Sequence, residues 1–357
     1  MISLLLLSHR CGALALCRSW LASLLIFLVA AGCTTRPTAA LKRFEFSEPQ
    51  MGLPFRIVLY APDENVAKVA ARTAFQRVSE LNDILSDYDT DSELSRLSRT
   101  AGSGRAVPLS QDLWKVLAKA QEFSARSDGA FDVTVGPYVS LWRKARREKK
   151  LPRAETLAAA RNAVGWQKLR LDPKSHSATL LADDMRLDLG GIAKGYALDE
   201  ALRVLRQQGI RRGLVTGGGD MAAGDPPPGK RGWRIEVAPL DVTNAPPARF
   251  VSLVNAGLAT SGDLFQRLEI DGRRYSHVVD PRTGLGLTDH SLVTVIAREA
   301  MTADGLSKVV SVLGPKQGFS RVEETPGAAA YVVRIPDKAI QSSETRRFES
   351  YLESTRP

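Results

Sequence analysis

The sequence predicts an α+β fold of largely antiparallel strands packed by helices. Two observations predict it. Stretches of helical and of strand periodicity are mixed without the regular βαβ alternation that a parallel sheet requires. The second half is also a run of short strands, at Trp233 to Ala238, Phe250 to Val254, Tyr275 to Val279, Ser291 to Ala297 and Ala330 to Ile335, interrupted by one clear helix. With 44% hydrophobic and 25% charged residues over 357 positions, the composition is that of a globular protein with a sizeable core.

The N-terminal segment reads as something other than fold. Arg10 and Arg18 precede an apolar run from Trp20 to Ala31, which ends in Ala30-Ala31-Gly32-Cys33. A positive region, an apolar stretch too short for a comfortable membrane span and small residues before a cysteine make a lipoprotein-type signal. The expectation is a signal peptide over residues 1–32, a lipidated Cys33, a tether over 33–45 and a single domain over 46–350. Ala30 stands where the usual lipobox has a larger aliphatic residue, which leaves a plain cleaved signal as the alternative. The expected location is the cell envelope, lipid-anchored and facing the periplasm. All three cysteines (Cys11, Cys17 and Cys33) fall in or at the end of the signal, which excludes disulfides, thiol catalysis and a thiolate metal site from the body. A net charge of +10 favours anionic partners without choosing among membrane, nucleic acid and phosphorylated substrate.

Along the body, Phe55 to Tyr60 reads as a strand, and Glu64 to Leu85 repeats apolar residues at helical spacing. Ser110 caps a helix running to Arg126, and Ala154 to Val164 is a further helix with Gly165 at its end. Short strands are expected around Leu169, Leu180 and Arg186 to Leu189. A helix from about Lys194 to Gln208 and a strand at Gly213 to Thr216 come next. The later helix, Ala303 to Leu313, stops at Gly314-Pro315.

Five clusters carry candidate chemistry. Leu187-Asp188-Leu189-Gly190-Gly191-Ile192-Ala193-Lys194-Gly195 is a glycine turn opening a helix, with amides for an anion, a carboxylate and an ammonium; an ordinary turn with a surface ion pair reads equally well. Thr216-Gly217-Gly218-Gly219-Asp220 satisfies a dinucleotide fingerprint by spelling, but three prolines follow and no helix opens, so that assignment fails and a glycine turn remains. Ala130-Phe131-Asp132 precedes an apolar step and a Gly-Pro stop. The fourth pairs Thr260-Ser261-Gly262-Asp263 with His277, Asp280 and Arg282, a mix suited to proton transfer and phosphate binding. On the later helix, Asp304, Ser307 and Lys308 share one face at i, i+3 and i+4. Carboxylate and hydroxyl there suit a hard cation, although the helix dipole alone also favours an Asp in a first turn. The basic run Arg143 to Lys150 reads as solvated surface.

Taken in order, Met51-Gly52, the Leu85 to Leu97 segment, GAFDVTVGP, LDLGGIAKGYALD, TGGGD, ATSGD, YSHVVDPRTG and the ADGLS helix closely resemble the ApbE family of FAD:protein FMN transferases. The resemblance extends from about residue 51 to 314. It implies the family's mixed fold and an enzyme that splits FAD, joins FMN to a Thr or Ser hydroxyl of a target flavoprotein and releases AMP, assisted by Mg²⁺. The implied acceptor is a flavoprotein such as a subunit of a membrane redox complex, with the membrane reached through Cys33 and no nucleic acid as a partner. By matched position, Met51, Tyr88, Ala130, Phe131, Asp132, Asp188, Lys194 and His277 would bind FAD. His277 would activate the acceptor, with Asp188 as a second catalytic candidate, and the Gly191 carbonyl, Asp304 and Ser307 would hold the metal. Lys308 is a departure, since the family usually has Thr there as a metal ligand. An FAD pyrophosphatase yielding FMN and AMP, or a non-catalytic FAD-binding lipoprotein, are the alternative readings.

Overall fold

In a computed structural model, residues 40–237, 246–262, 267–270, 272–336 and 339–353 are described. The expected signal peptide, Cys33 and most of the tether lie outside them, as does Asp263. The chain opens with β1 (Lys42–Gln50) and β2 (Leu53–Ala61), a register-matched antiparallel hairpin. Residues 42–45, expected as tether, therefore belong to the first strand. Its exposed edge alternates Phe44 and Phe46 with charges, and such an edge carries little strand signal in sequence.

The hairpin begins an eight-stranded sheet. To β1 and β2 it adds β6 (Gly213–Gly217), β7 (Asp220–Ala223), β10 (Ala256–Gly262), β13 (Ser291–Ala297), β14 (Ala329–Arg334) and β15 (Gln341–Glu344), in that spatial order. Every neighbouring pair is antiparallel. The α+β expectation is met.

Period-two alternation sends β2 residues Phe55, Ile57 and Leu59 into one core and Val58 into a second. The first core lies under α1 (Glu64–Leu85), α3 (Gln111–Arg126), α6 (Ala193–Gln207) and α7 (Ala300–Glu323). The second is closed by the hairpin of β8 (Trp233–Val237) and β9 (Arg249–Leu253). Burial on both faces explains why these strands read as continuous apolar runs. The caps fix helix starts as the sequence predicts: Asp63 accepts from Val66 N–H at 2.9 Å and Ser110 from Leu113 N–H at 3.2 Å. The break foreseen at Gly314-Pro315 is a kink inside α7, with Gly314 at φ 72°.

A short α2 (Glu93–Ser98) follows α1, and a small sheet joins β3 (Val107–Pro108), β5 (Ser177–Leu180) and β4 (Leu169–Asp172). Arg186 to Leu189, expected as a strand, forms only an isolated bridge from Arg186 to Val135 and a hydrogen bond from Asp188 N–H to the Val133 carbonyl, 2.8 Å. The Gly136-Pro137 stop is instead the start of α4 (Gly136–Glu148), because proline is well placed in a first helical turn. Helix α5 (Ala154–Arg161) packs beside it, and Tyr138, Trp142 and Ala145 of α4 form a third core with β11 (Arg267–Ile270) and β12 (Arg273–Ser276). Among the described residues no helix is long and apolar enough to cross a membrane.

Candidate active site

Two tight hairpin turns deliver the first site residues. Gly218 and Gly219, at φ 59° and 89°, form the two-residue link between β6 and β7 and place Asp220 first in β7. Gly217 has no room for a side chain, since a Cβ would stand 2.7 Å from the Phe55 ring. In the other turn Met51 sits at φ 50°, a left-handed conformation uncommon for a bulky residue, and packs partly against the first core.

Helices α6 and α7 meet at their first turns. A Cβ on Gly195 would stand 2.4 Å from the Ala300 carbonyl oxygen, so only glycine permits the approach. The Asp199 carboxylate accepts from the Ala300 and Met301 N–H groups, both at 2.8 Å, and so caps α7 from α6. Burial pushes this carboxyl up to about 7 against the pull of those two donors. Two residues of the LDLGGIAKGYALD motif thus build the joint rather than the chemistry.

At that joint four charges interlock. The Lys194 ammonium donates to Asp220, whose other oxygen accepts from Thr260 N–H at 3.0 Å. Lys308 Nζ donates to Asp304 Oδ1 at 2.6 Å and to Ser307 Oγ at 3.2 Å, while Asp304 Oδ2 accepts from Gly195 N–H at 3.2 Å. Both carboxylates are 0% exposed, whereas the Lys194 and Lys308 side chains keep 22% and 15%. The anionic ends are thus fully buried, while each lysine side chain keeps some surface.

The titration behaviour follows from that packing. Burial pulls Lys194 down, but Asp304 and Asp220 outweigh it and hold the ammonium above the usual lysine range. Burial raises Asp304, yet Lys308 and Lys194 together bring it below the ordinary carboxylate value. Asp220 ends above that value, because burial and the Asp304 charge exceed the pull of the two lysines.

A second group flanks this cluster. Asp188 Oδ1 accepts from Gly190 N–H at 2.8 Å, and its Oδ2 from Arg143 at 3.0 Å. Arg143 also pairs with Asp87 and lies 4.1 Å over the Tyr88 ring. Burial, then the Asp87 charge, push Asp188 up to about 6 against Arg143. Tyr88 itself is 76% exposed, an aromatic ring held against the Arg143 guanidinium. Phe131 is buried, and its ring edge and the Lys308 stem each come to 3.2 Å from where a Gly191 Cβ would be, so the three adjoin. Ala130 is buried in the turn before Phe131. The Asp132 carboxylate is spent on its own turn, accepting from Thr134 N–H and Oγ1 at 2.8 and 2.7 Å. His277 follows β12 directly and is exposed. Its loop is tied to α4 through Trp142 Nε1 donating to the Gly284 carbonyl at 2.8 Å, one residue before Arg143.

The structure thus joins Lys194, Asp304, Ser307, Gly191 and Phe131, and sets Asp188 and Tyr88 on Arg143. The sequence gives Asp220 no role beyond its glycine turn, and Arg143 reads there as solvated surface. The first stood in plain view after three glycines, but the second was hidden in a basic run.

The expected metal donors can be tested on these contacts. Among the described residues no three acidic, histidine or cysteine side chains cluster to hold a metal. Asp304 Oδ1 and Ser307 Oγ, two of the expected donors, are occupied by the Lys308 ammonium. As arranged, this set does not suit a divalent cation, which needs free oxygens and no ammonium between them.

Comparison with known proteins bears on the whole arrangement. A sequence model of the ApbE family matches residues 51–332, which include all of these site residues. The chain belongs to the ApbE family. It is 32% identical over 322 residues to an FAD:protein FMN transferase of Haemophilus influenzae, covering 88% of this chain and 92% of that one. An FAD:protein FMN transferase of Escherichia coli K12 is 34% identical over 278 residues, or 76% and 78% of the two chains. The apo structure of the Pseudomonas stutzeri flavinyl transferase ApbE superposes with a TM-score of 0.78 at 31% identity, covering 88% of this chain and 98% of that one. The ApbE flavin transferase of Vibrio cholerae gives 0.79 at 29% identity, covering 87% and 100%. These matches extend over the fold and the site together.

Proposed function

We propose that this ApbE-family chain is an FAD:protein FMN transferase. The observation that carries the reading is the partly exposed pair Lys194 and Lys308, anchored on two fully buried carboxylates at the meeting of α6 and α7. Such a pair is built for a pyrophosphate, whose charge grows on the leaving side as the bond breaks. In the reaction an acceptor Thr or Ser oxygen bonds to the FMN phosphorus. The bond from that phosphorus to the bridging oxygen breaks, and AMP leaves with the electron pair and the bridging oxygen. The hydroxyl proton passes to a base.

His277 is that base. Its imidazole is exposed, where a hydroxyl on another protein can reach it, and a positioned base contributes about 10² to 10⁴ in rate. Tyr88, Met51, Ala130 and Phe131 line the path of the flavin nucleotide. Asp188 works through Arg143, holding the guanidinium over Tyr88, and Asp132 shapes the Phe131 turn. FAD is the substrate. The expected Mg²⁺ would need the oxygens that Lys308 holds, so no step is assigned to it here. The acceptor is a flavoprotein of the kind found as a subunit of membrane redox complexes. The setting is the cell envelope, with the chain anchored through lipid at Cys33 and facing the periplasm.

The test is intact mass of a purified redox-complex subunit after incubation with the chain and FAD, with AMP assayed in parallel. An FMN-sized adduct with equal AMP supports the transferase. AMP with an unmodified acceptor replaces it with pyrophosphatase activity, and neither product leaves a binder. His277→Ala is expected to lose about a hundredfold or more in transfer while holding FAD as before.

A further inference from the structure

The residue that does not fit a metal site fits another purpose. We propose that in this chain the Lys308 ammonium is the built-in counterpart of a divalent cation, so that pyrophosphate is bound and cleaved without metal. The inference rests on the transferase reading above.

Geometry supports it first. Lys308 stands at i+4 from Asp304 on α7, and its Nζ is held in a fork between Asp304 Oδ1 and Ser307 Oγ at 2.6 and 3.2 Å. Its stem runs past Gly191, where a Cβ would come within 3.2 Å of Lys308 Cγ. Glycine at 191 keeps that space open, and the stem fills it. An ammonium on a flexible chain that is clasped at both ends has lost its freedom before any substrate arrives, which lowers the cost of using it.

Charge gives the second argument. Asp220, Asp304, Lys194 and Lys308 sum to zero, so the buried carboxylates are already compensated. With a neutral residue at 308 the same group would carry one net negative charge, the condition that recruits a cation. A divalent ion would then leave the site one unit more positive than it is with lysine. Lys308 therefore does a weaker version of the same work and does it permanently. Its side chain keeps 15% exposure above a carboxylate with none, and one of its three N–H donors is left over from the two contacts.

The experiment compares wild type, Lys308→Thr and Lys308→Met as full mature chains, with circular dichroism and thermal midpoint confirming that each is folded. Two readouts are taken: Mn²⁺ binding to the flavin-free protein by electron paramagnetic resonance, and FAD affinity by flavin fluorescence in EDTA or in Mg²⁺. Wild type should bind no stoichiometric Mn²⁺ and hold FAD equally in both buffers. Lys308→Thr should bind one Mn²⁺, hold FAD about tenfold more weakly in EDTA and recover in Mg²⁺. Lys308→Met keeps the stem in the space beside Gly191 and offers a cation no oxygen, so despite the negative charge it should bind no Mn²⁺ and hold FAD weakly in both buffers. Stoichiometric Mn²⁺ in wild type, FAD binding by wild type that needs Mg²⁺, or a Lys308→Thr protein indifferent to EDTA would each overturn the proposal. Absence of FAD binding by wild type in both buffers would instead strike the transferase reading, and the Mn²⁺ comparison would still decide the role of Lys308.

Discussion

Asp220→Asn isolates a part of the site to which sequence reasoning assigned no role. Asn keeps an oxygen for the Thr260 N–H but removes the charge under Lys194, and its amide hydrogens then face the ammonium. Breaking a buried ion pair by removing one partner costs about 3–5 kcal/mol. Here the lower end applies, because the Asp220 charge also repels Asp304, and that repulsion disappears with it. The expected loss is thus about 3 kcal/mol, or roughly 6 °C in the thermal midpoint for a domain of this size. Lys194→Met should cost a similar amount, since it leaves two buried carboxylates to Lys308 alone. The double variant is the decisive member. If the two groups compensate each other, it should lose about 3 kcal/mol rather than the sum of about 6, a coupling of about 3 kcal/mol in urea unfolding. FAD affinity, by contrast, should stay low in both proteins that lack Lys194. Additive stability losses would refute the interlocked-charge account, whatever the activities.

Three further outcomes follow from the same contacts. Asp188 titrates at about 6 in the fold because of burial and the Asp87 charge, and near 3.8 when unfolded. The native state therefore holds a proton that the unfolded chain has released between those values, and stability falls as pH rises through about 6. Urea midpoints at pH 4.5 and 7 should show that fall in wild type and a flatter profile in Asp188→Asn. Gly195→Ala places a methyl 2.4 Å from a backbone oxygen, so α6 and α7 must part. A stability loss of about 3 kcal/mol is expected, and a loss under about 0.5 kcal/mol would contradict the close approach. Met51→Asn relieves about 1 kcal/mol of left-handed strain and forfeits a comparable apolar contact, so the unfolding midpoint should barely move while FAD affinity drops. An unchanged affinity would remove Met51 from the FAD path.

How much of this was legible in the sequence depended on whether the signal was local. Helices α1 and α3 are legible because the apolar stripe of the first and the Ser110 cap of the second are local features. Strand β1 was lost to the tether because its pattern is that of an exposed edge beside a polar segment. Helix α4 was lost because Gly136-Pro137 signals a stop and a first turn with the same two residues. Arg143 went with it, as nothing in a run of basic residues marks the one that turns inward to Asp87 and Asp188. The site motifs could each be read as an ordinary turn or cap. Only their order, compared with a family, or the fold itself brings Lys194 to Asp220 and Asp304 to Lys308. The Lys308 departure was visible in the sequence, but that its ammonium occupies the very oxygens expected to hold a metal required the fold.

Burying two carboxylates at the joint of two helices is costly, and hydrophobic packing of the same volume would stabilise the fold more. What the arrangement provides is fixed position. Asp199 and Gly195 lock α6 to α7, and Asp304 is bonded from both helices, by Gly195 N–H and by Lys308. The carboxylates cannot turn to water, because they have no exposed surface. On the transferase reading proposed above, an arriving pyrophosphate would meet charge that is already oriented, so little rearrangement would be left for the moment of bond breaking. His277 is placed differently: it is exposed, and its loop is held to α4 through Trp142. On the proposed transferase reading, fixed cations for the nucleotide and a reachable imidazole for the acceptor are different mechanical demands, and they fall on different elements.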